Sequence, residues 1–157
     1  MLEHFPSFRD TAEFKGRRVK ILKRVQILVG DLWGCFEGKG FGEFTDIDSV
    51  TMFADYRVPQ ALLSLRILKY SDALMERLHK KDMFTSGEPA EVEIRGGSIW
   101  AVELLRRELA KQIVETDGAS EVPPNAILID FYLWDYAKQN QEQIKQWPIH
   151  RIRTFFY

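Results

Sequence analysis

One cysteine, Cys35, occurs in 157 residues. It can form neither an intramolecular disulfide framework nor a cysteine-based zinc cluster, and an unpaired thiol suits a reducing compartment, so a cytoplasmic protein is expected. The histidines His4, His79 and His150 are widely separated, and no His-x-x-x-His or Cys-x-x-Cys spacing occurs. No metal site and no cofactor are expected from such a set. Charge of one sign is missing as well: 22 basic side chains face 23 acidic ones, for a net charge of −1 and a pI near 6.3. Without an overall positive field, tight and salt-dependent binding to a long nucleic-acid backbone is not expected, while small charged ligands stay open. Long apolar runs are absent too. The stretch Ile127 to Trp134 is interrupted by an acid and falls far short of the ~20 residues of a membrane-spanning helix. Met1 to Phe14 lacks the basic start and apolar run of a secretory signal. There is no Gly-x-Ser-x-Gly, and the glycines of EGKGFGEF miss the spacing of a phosphate-cradling loop. That segment reads as a turn.

What remains is the composition of a folded domain. Hydrophobic residues make up 45% and aromatics 13%, enough for a core, and charged residues at 29% match an ordinary surface. The length suits one domain over residues 1–157. Most of the text is helical. Arg17 to Phe36 places Ile21, Val25, Leu28, Leu32 and Phe36 at spacings of three and four, ending at Gly38 and Gly40. Pro59 is positioned to open a helix over Gln60 to Leu68, and Ser71-Asp72 to cap one over Ala73 to His79. Glu91 to Ile113 is helical apart from Gly96-Gly97, with Ile99, Val102, Leu105 and Leu109 inward. Thr116 to Pro124 is a polar connector, and Asn125 to Gln146 forms a last helix ended by Trp147-Pro148. The expected class is all-α, mainly helical, with room for a short strand pair around Ala90 to Ile94. Cys35, beside Phe36, reads as a small buried hydrophobe.

Several charges sit in expensive places. Asp130 has apolar residues before it and aromatics after it. Facing inward it would cost several kcal/mol unless paired, and the alternatives are that it faces out or meets an arginine. Asp135 lies roughly 140° further round a helix, so both could border one cleft. Asp55, in TMFADYR, is a second acid in apolar text; the plain alternative is a cap on the helix that follows. Lys23 stands among Ile21, Leu22, Val25 and Ile27 and otherwise belongs to a solvated basic face. The tail PIHRIRTFFY interleaves His150, Arg151 and Arg153 with aromatics. It either grips a phosphate through forked donors or packs against the domain with its charges outward.

The runs LKRVQILVGDLWGCFEGKGFGEF, DIDSVTMFADYRVPQALL, EVEIRGGSIWAVELL, AILIDFYLWDYAK and PIHRIRTFFY closely resemble the queuosine salvage family, the queuosine 5′-phosphate N-glycosylases. The resemblance spans nearly the whole chain. Family members are longer, and the similarity covers their C-terminal half, as for a partial chain or a shortened relative. It implies a helical fold similar to that of DNA glycosylases, and hydrolysis of the bond between the 7-deazaguanine base queuine and ribose 5-phosphate, releasing queuine for insertion into tRNA. The implied partner is a mononucleotide, with no direct nucleic acid and no membrane.

Breaking an N-glycosidic bond builds positive charge on the sugar, which a fixed carboxylate stabilises or attacks. A 7-deazapurine has carbon at position seven, so leaving-group help must come through other polar edges. Its guanine-like N–H donors need an acceptor, and the aminomethyl arm needs an anion. The resemblance therefore assigns Asp130 as nucleophile or transition-state stabiliser, with Asp55 the alternative for that role. Otherwise Asp55 and Ala54 contact the base and Asp135 reads its edge or its arm. Phe131 and Trp134 are candidate stacking surfaces, Trp134 equally a core residue. Lys23 holds the phosphate or adjusts a carboxylate's charge, and Arg57, Arg151 and Arg153 are secondary phosphate candidates. The rival readings are a queuine-binding or nucleobase-binding module without turnover, an incomplete fragment, and a DNA glycosylase with a salt-dependent affinity for duplex DNA.

Overall fold

The computed structural model describes residues 1–117 and 122–157, and helices dominate it. The chain opens with a hairpin that the helical reading of Arg17 to Phe36 did not anticipate. Strands β1 (Thr11–Phe14) and β2 (Arg17–Lys20) pair antiparallel, Phe14 opposite Arg17. Lys15 and Gly16 turn the corner, both at positive φ, the geometry that matches the twist of a two-residue hairpin. The helix α1 starts only at Lys23 and runs to Cys35. Four residues of RRVK are too few to separate a helical from an extended pattern, and the turn settled it. Cys35 is exposed: it closes α1 on the solvent side, which corrects its reading as a core residue.

Helix α2 spans Arg57–Ser64 rather than Gln60 to Leu68, because Asp55 supplies the cap three residues before Val58. Helix α3 (Asp72–His79) is capped by Ser71, whose hydroxyl accepts from the Leu74 N–H. The two-residue strand β3 (Met83–Phe84) follows. Helix α4 is continuous over Pro89–Asp117, so neither a strand at Ala90 to Ile94 nor a break at Gly96-Gly97 exists. Each glycine costs ~1 kcal/mol of helix propensity, offset here because Ile94, Ser98, Ala101 and Val102 on the same helix are buried. The connector at Thr116 to Pro124 lies partly outside the described residues. Helix α5 (Ala126–Gln139) begins at Asn125, whose side chain accepts from the Leu128 N–H. It stops at Asn140, and the short α6 (Gln141–Ile144) follows as a separate helix. The expected single helix to Gln146 is thus two. Finally β4 (Arg151–Ile152) pairs parallel with β3.

Helices α2, α4 and α5 share the main core, with Met52, Val58, Leu62, Val102, Ile129 and Leu133 at its centre. A smaller cluster of Leu78, Phe84 and Ile94 lies under β3 and β4. Among the described residues the fold is therefore mainly helical with two small strand pairs. Among the described residues no helix is long and apolar enough to cross a membrane.

Candidate active site

Three segments converge on one cleft of about 490 Å³. Helix α1 contributes Lys23, Ile27 and Asp31, spaced by four residues along one face. The extended stretch before α2 contributes Phe53 and Asp55, and α5 contributes Asp130, Phe131, Trp134 and Asp135. Close approach of α1 is possible because residue 30 is a glycine: a Cβ there would lie 2.7 Å from Cζ of Phe53. The Phe53 ring in turn meets Phe131 at 6.0 Å between centroids.

Two acids are held as a pair of unlike members. Asp130 is 4% exposed, and its Oδ1 accepts a 2.8 Å hydrogen bond from the Phe53 N–H. Burial pushes its carboxyl up to about 7, with the nearby Asp55 charge adding to the rise. Asp55 is 9% exposed. Its Oδ1 accepts from the N–H groups of Arg57 (2.8 Å) and Val58 (3.0 Å), the unpaired donors at the start of α2. Burial also raises the Asp55 carboxyl, against the pull of those two N–H groups and of Lys23. The Lys23 ammonium is lowered by burial, while Asp55 and then Asp130 favour its charge. The site thus brings one lysine together with two buried carboxyls held by different backbone N–H groups, the kind of pair between which acid and base roles are divided.

Of the residues singled out in the sequence, the cleft brings together Lys23, Asp55, Asp130, Phe131, Trp134 and Asp135. Ala54 is fully buried behind it. Arg57 leans on Tyr56 and donates to Gln60. Arg151 pairs with Met83 in the strand pair and Arg153 is exposed; neither lines the cleft. The face of Trp134 already carries the Lys138 ammonium at 4.1 Å. Three lining residues escaped the sequence reading: Ile27, Asp31 and Phe53. Asp31 was the findable one, since its distance of eight residues from Lys23 puts both on one face of a helix.

Behind the cleft lies a buried polar cluster. Arg95, 2% exposed, donates through Nε to the Ala54 carbonyl (3.0 Å). It also donates through both terminal nitrogens to Asp10 (2.9 and 2.5 Å) and through Nη1 to Glu91 (3.2 Å). The Tyr157 hydroxyl donates to Glu91 (2.7 Å) and lies 2.8 Å from Nε2 of His150. Because that hydroxyl's one hydrogen goes to Glu91, His150 is the donor of the pair. Burial and the nearby Arg95 charge lower the His150 pKa to about 4, which keeps the ring neutral.

The model of the family described as "Queuosine salvage protein" matches residues 1–157. Curated relatives include a protein of Mus musculus, 52% identical over all of this chain and 46% of its own length. One of Bos taurus is 49% identical over all of this chain and 46% of its own length. One of Sphaerobacter thermophilus is 45% identical over 98% of this chain and 44% of its own length. All three are named queuosine 5′-phosphate N-glycosylase/hydrolase. The chain spans about half the length of the curated relatives it matches.

Proposed function

Because the chain belongs to the queuosine salvage protein family, we propose that its cleft hydrolyses the N-glycosidic bond of queuosine 5′-phosphate, releasing queuine. The observation that carries this reading is the pair Asp55 and Asp130 flanking one cleft with Lys23. Departure of the base leaves positive charge on C1′ and the ring oxygen, so a carboxylate that is already fixed lowers the barrier without reorganising. Asp55 suits that task. Two backbone N–H groups pin its Oδ1, and they and Lys23 favour its charged form against the cost of burial. Asp130, the first candidate for this role on sequence, suits the other. A carboxyl near 7 is half protonated at neutral pH and matches the requirement for a general acid. Its proton passes to an acceptor on the six-membered ring of the base, since a 7-deazapurine offers no N7. Water then adds to C1′ and its released proton returns to the Asp130 carboxylate, giving ribose 5-phosphate and free queuine.

The remaining lining fits the other parts of the substrate. Asp31 and Asp135 make the cleft acidic toward its α1–α5 side, which suits the cationic amine of the queuine arm. Phe131, 37% exposed, offers a face for the base. Lys23 is the only cation lining the cleft among the described residues, so its first duty is to the carboxyls, and the phosphate extends toward the rim. A helical scaffold of the DNA-glycosylase kind is part of the same proposal. It is supported by a lysine at a helix start facing a capping aspartate.

Incubation of the purified chain with queuosine 5′-phosphate, with free queuine followed by chromatography, tests the reading. Turnover abolished by Asp55→Asn and by Asp130→Asn is the expected result. Binding of queuine without turnover would instead support the second reading, a binding module, which the coverage of under half of each relative's length favours. Activity lost in neither variant would overturn the assignment.

A further inference from the structure

The cleft's parts come from distant segments, and something must hold them in register. Phe53 supplies the N–H that carries Asp130, Ala54 follows, and Asp55 comes next. The Ala54 carbonyl points away from the cleft and meets Arg95 Nε. The same guanidinium binds Asp10 with both terminal nitrogens. Asp10 is itself tied to the start of α1: its Oδ2 accepts from the Lys23 N–H (3.1 Å), and its carbonyl accepts from the N–H groups of Ile21 and Leu22. One guanidinium and one carboxylate thus bridge the backbone of the lysine segment to the backbone of the carboxyl segment. Glu91 holds the third side of Arg95 and is held in turn by the Gly87 N–H and the Tyr157 hydroxyl.

We propose that Arg95, clamped by Asp10, is a positioning residue that sets the spacing between Lys23 and the Phe53–Asp55 segment. This rests on the hydrolase reading for its catalytic consequence, though not for its geometry. Arg95 touches no part of the cleft. It acts directly through the Ala54 carbonyl and, by way of Asp10, through the Lys23 N–H, both backbone groups. A guanidinium is needed because three directions must be satisfied at once, the Ala54 carbonyl, Asp10 and Glu91, and a planar fork does this where an ammonium does not.

The test uses Asp10→Asn in the full chain. This variant keeps an oxygen for the Lys23 N–H and leaves Arg95 paired with Glu91, so the buried charge is not orphaned. If that chain does not fold, Tyr157→Phe loosens Glu91 and serves in its place. Amide hydrogen exchange and steady-state kinetics are read together. Expected is faster exchange at Phe53 and Lys23, with Val102 and Leu133 unchanged, and kcat lower by about 10-fold to 100-fold at nearly constant KM. A merely structural role would speed exchange across the core and lower kcat only by the unfolded fraction. A folded variant with parental exchange at Phe53 overturns the proposal. So does parental kcat in a variant whose parent turns over. A parent without turnover overturns the hydrolase reading alone, and the exchange at Phe53 still decides the positioning role.

Discussion

Replacing Asp130 by asparagine separates the cost of the buried carboxyl from its use. Burial moves this group from 3.8 to about 7. A folded-state pKa above the unfolded one means that the full stability is present below pH 4 and is lost as pH rises through 7. At 1.36 kcal/mol per pH unit, the cost relative to a residue that never ionises is about 2 kcal/mol at pH 5, and it levels off near ~4 kcal/mol above pH 7. Asparagine still accepts from the Phe53 N–H and carries no charge. The stability of Asp130→Asn relative to the parent therefore climbs by about 2.5 kcal/mol between pH 5 and pH 8, on top of any constant offset. Urea unfolding followed by tryptophan fluorescence across that range measures the climb. A difference independent of pH would show that the carboxyl titrates alike in both states, and the burial argument would fall.

On the enzymatic side, Asp55→Asn is expected to lower kcat by about 10²- to 10³-fold, measured as queuine release with the folded fraction checked by circular dichroism; a loss under tenfold would sink its role as the fixed anion. The pH profile of kcat/KM should be bell-shaped. It falls toward acid as Asp55 is protonated, above its ordinary 3.8, and toward alkali as Asp130 loses its proton near 7. An alkaline limb that persists unchanged in Asp130→Asn would remove Asp130 from the acid's role. Two glycines make a contrasting pair. Gly42→Ala places a Cβ 2.7 Å from the Leu32 carbonyl and 2.8 Å from Cβ of Phe36, away from the cleft, and should cost about 1–3 kcal/mol in unfolding with kcat retained. Gly30→Ala meets the Phe53 ring and should lower stability and turnover together, so equal kcat for both variants would dissociate Phe53 from the site's shape.

The expensive residues were legible because cost is local. A carboxylate among Ile127, Leu128, Ile129 and Phe131 shows on the page whatever the fold does, and Asp130 and Asp55 were found that way. Asp31 was passed over although its spacing of eight from Lys23 was on the page, because an exposed acid on a helix is ordinary until its neighbours across the cleft are known. The Arg95 cluster was invisible for a different reason. Asp10 and Arg95 are 85 residues apart, and no periodicity links them; only the Glu91–Arg95 spacing of four was available. The hairpin at Lys15-Gly16 was missed because its strands are only four residues long. Gly96-Gly97 misled because propensity suggested a break where packing of Ser98 and Val102 decided the matter.

The hydrogen bonds that build the cleft share a property with kinetic consequences. Phe53 reaches Asp130 across 77 residues, and Arg95 reaches Asp10 across 85 and Ala54 across 41. Contacts this distant pay their loop-closure entropy before they are rewarded, so they form after the helices do. Until that closure Asp130 and Asp55 are ordinary solvated acids. Near pH 6 the closing step takes up a proton at Asp130 while burial of His150 gives one up, so the difference between stopped-flow pH-indicator traces of the parent and of Asp130→Asn would time the birth of the site separately from the appearance of helix.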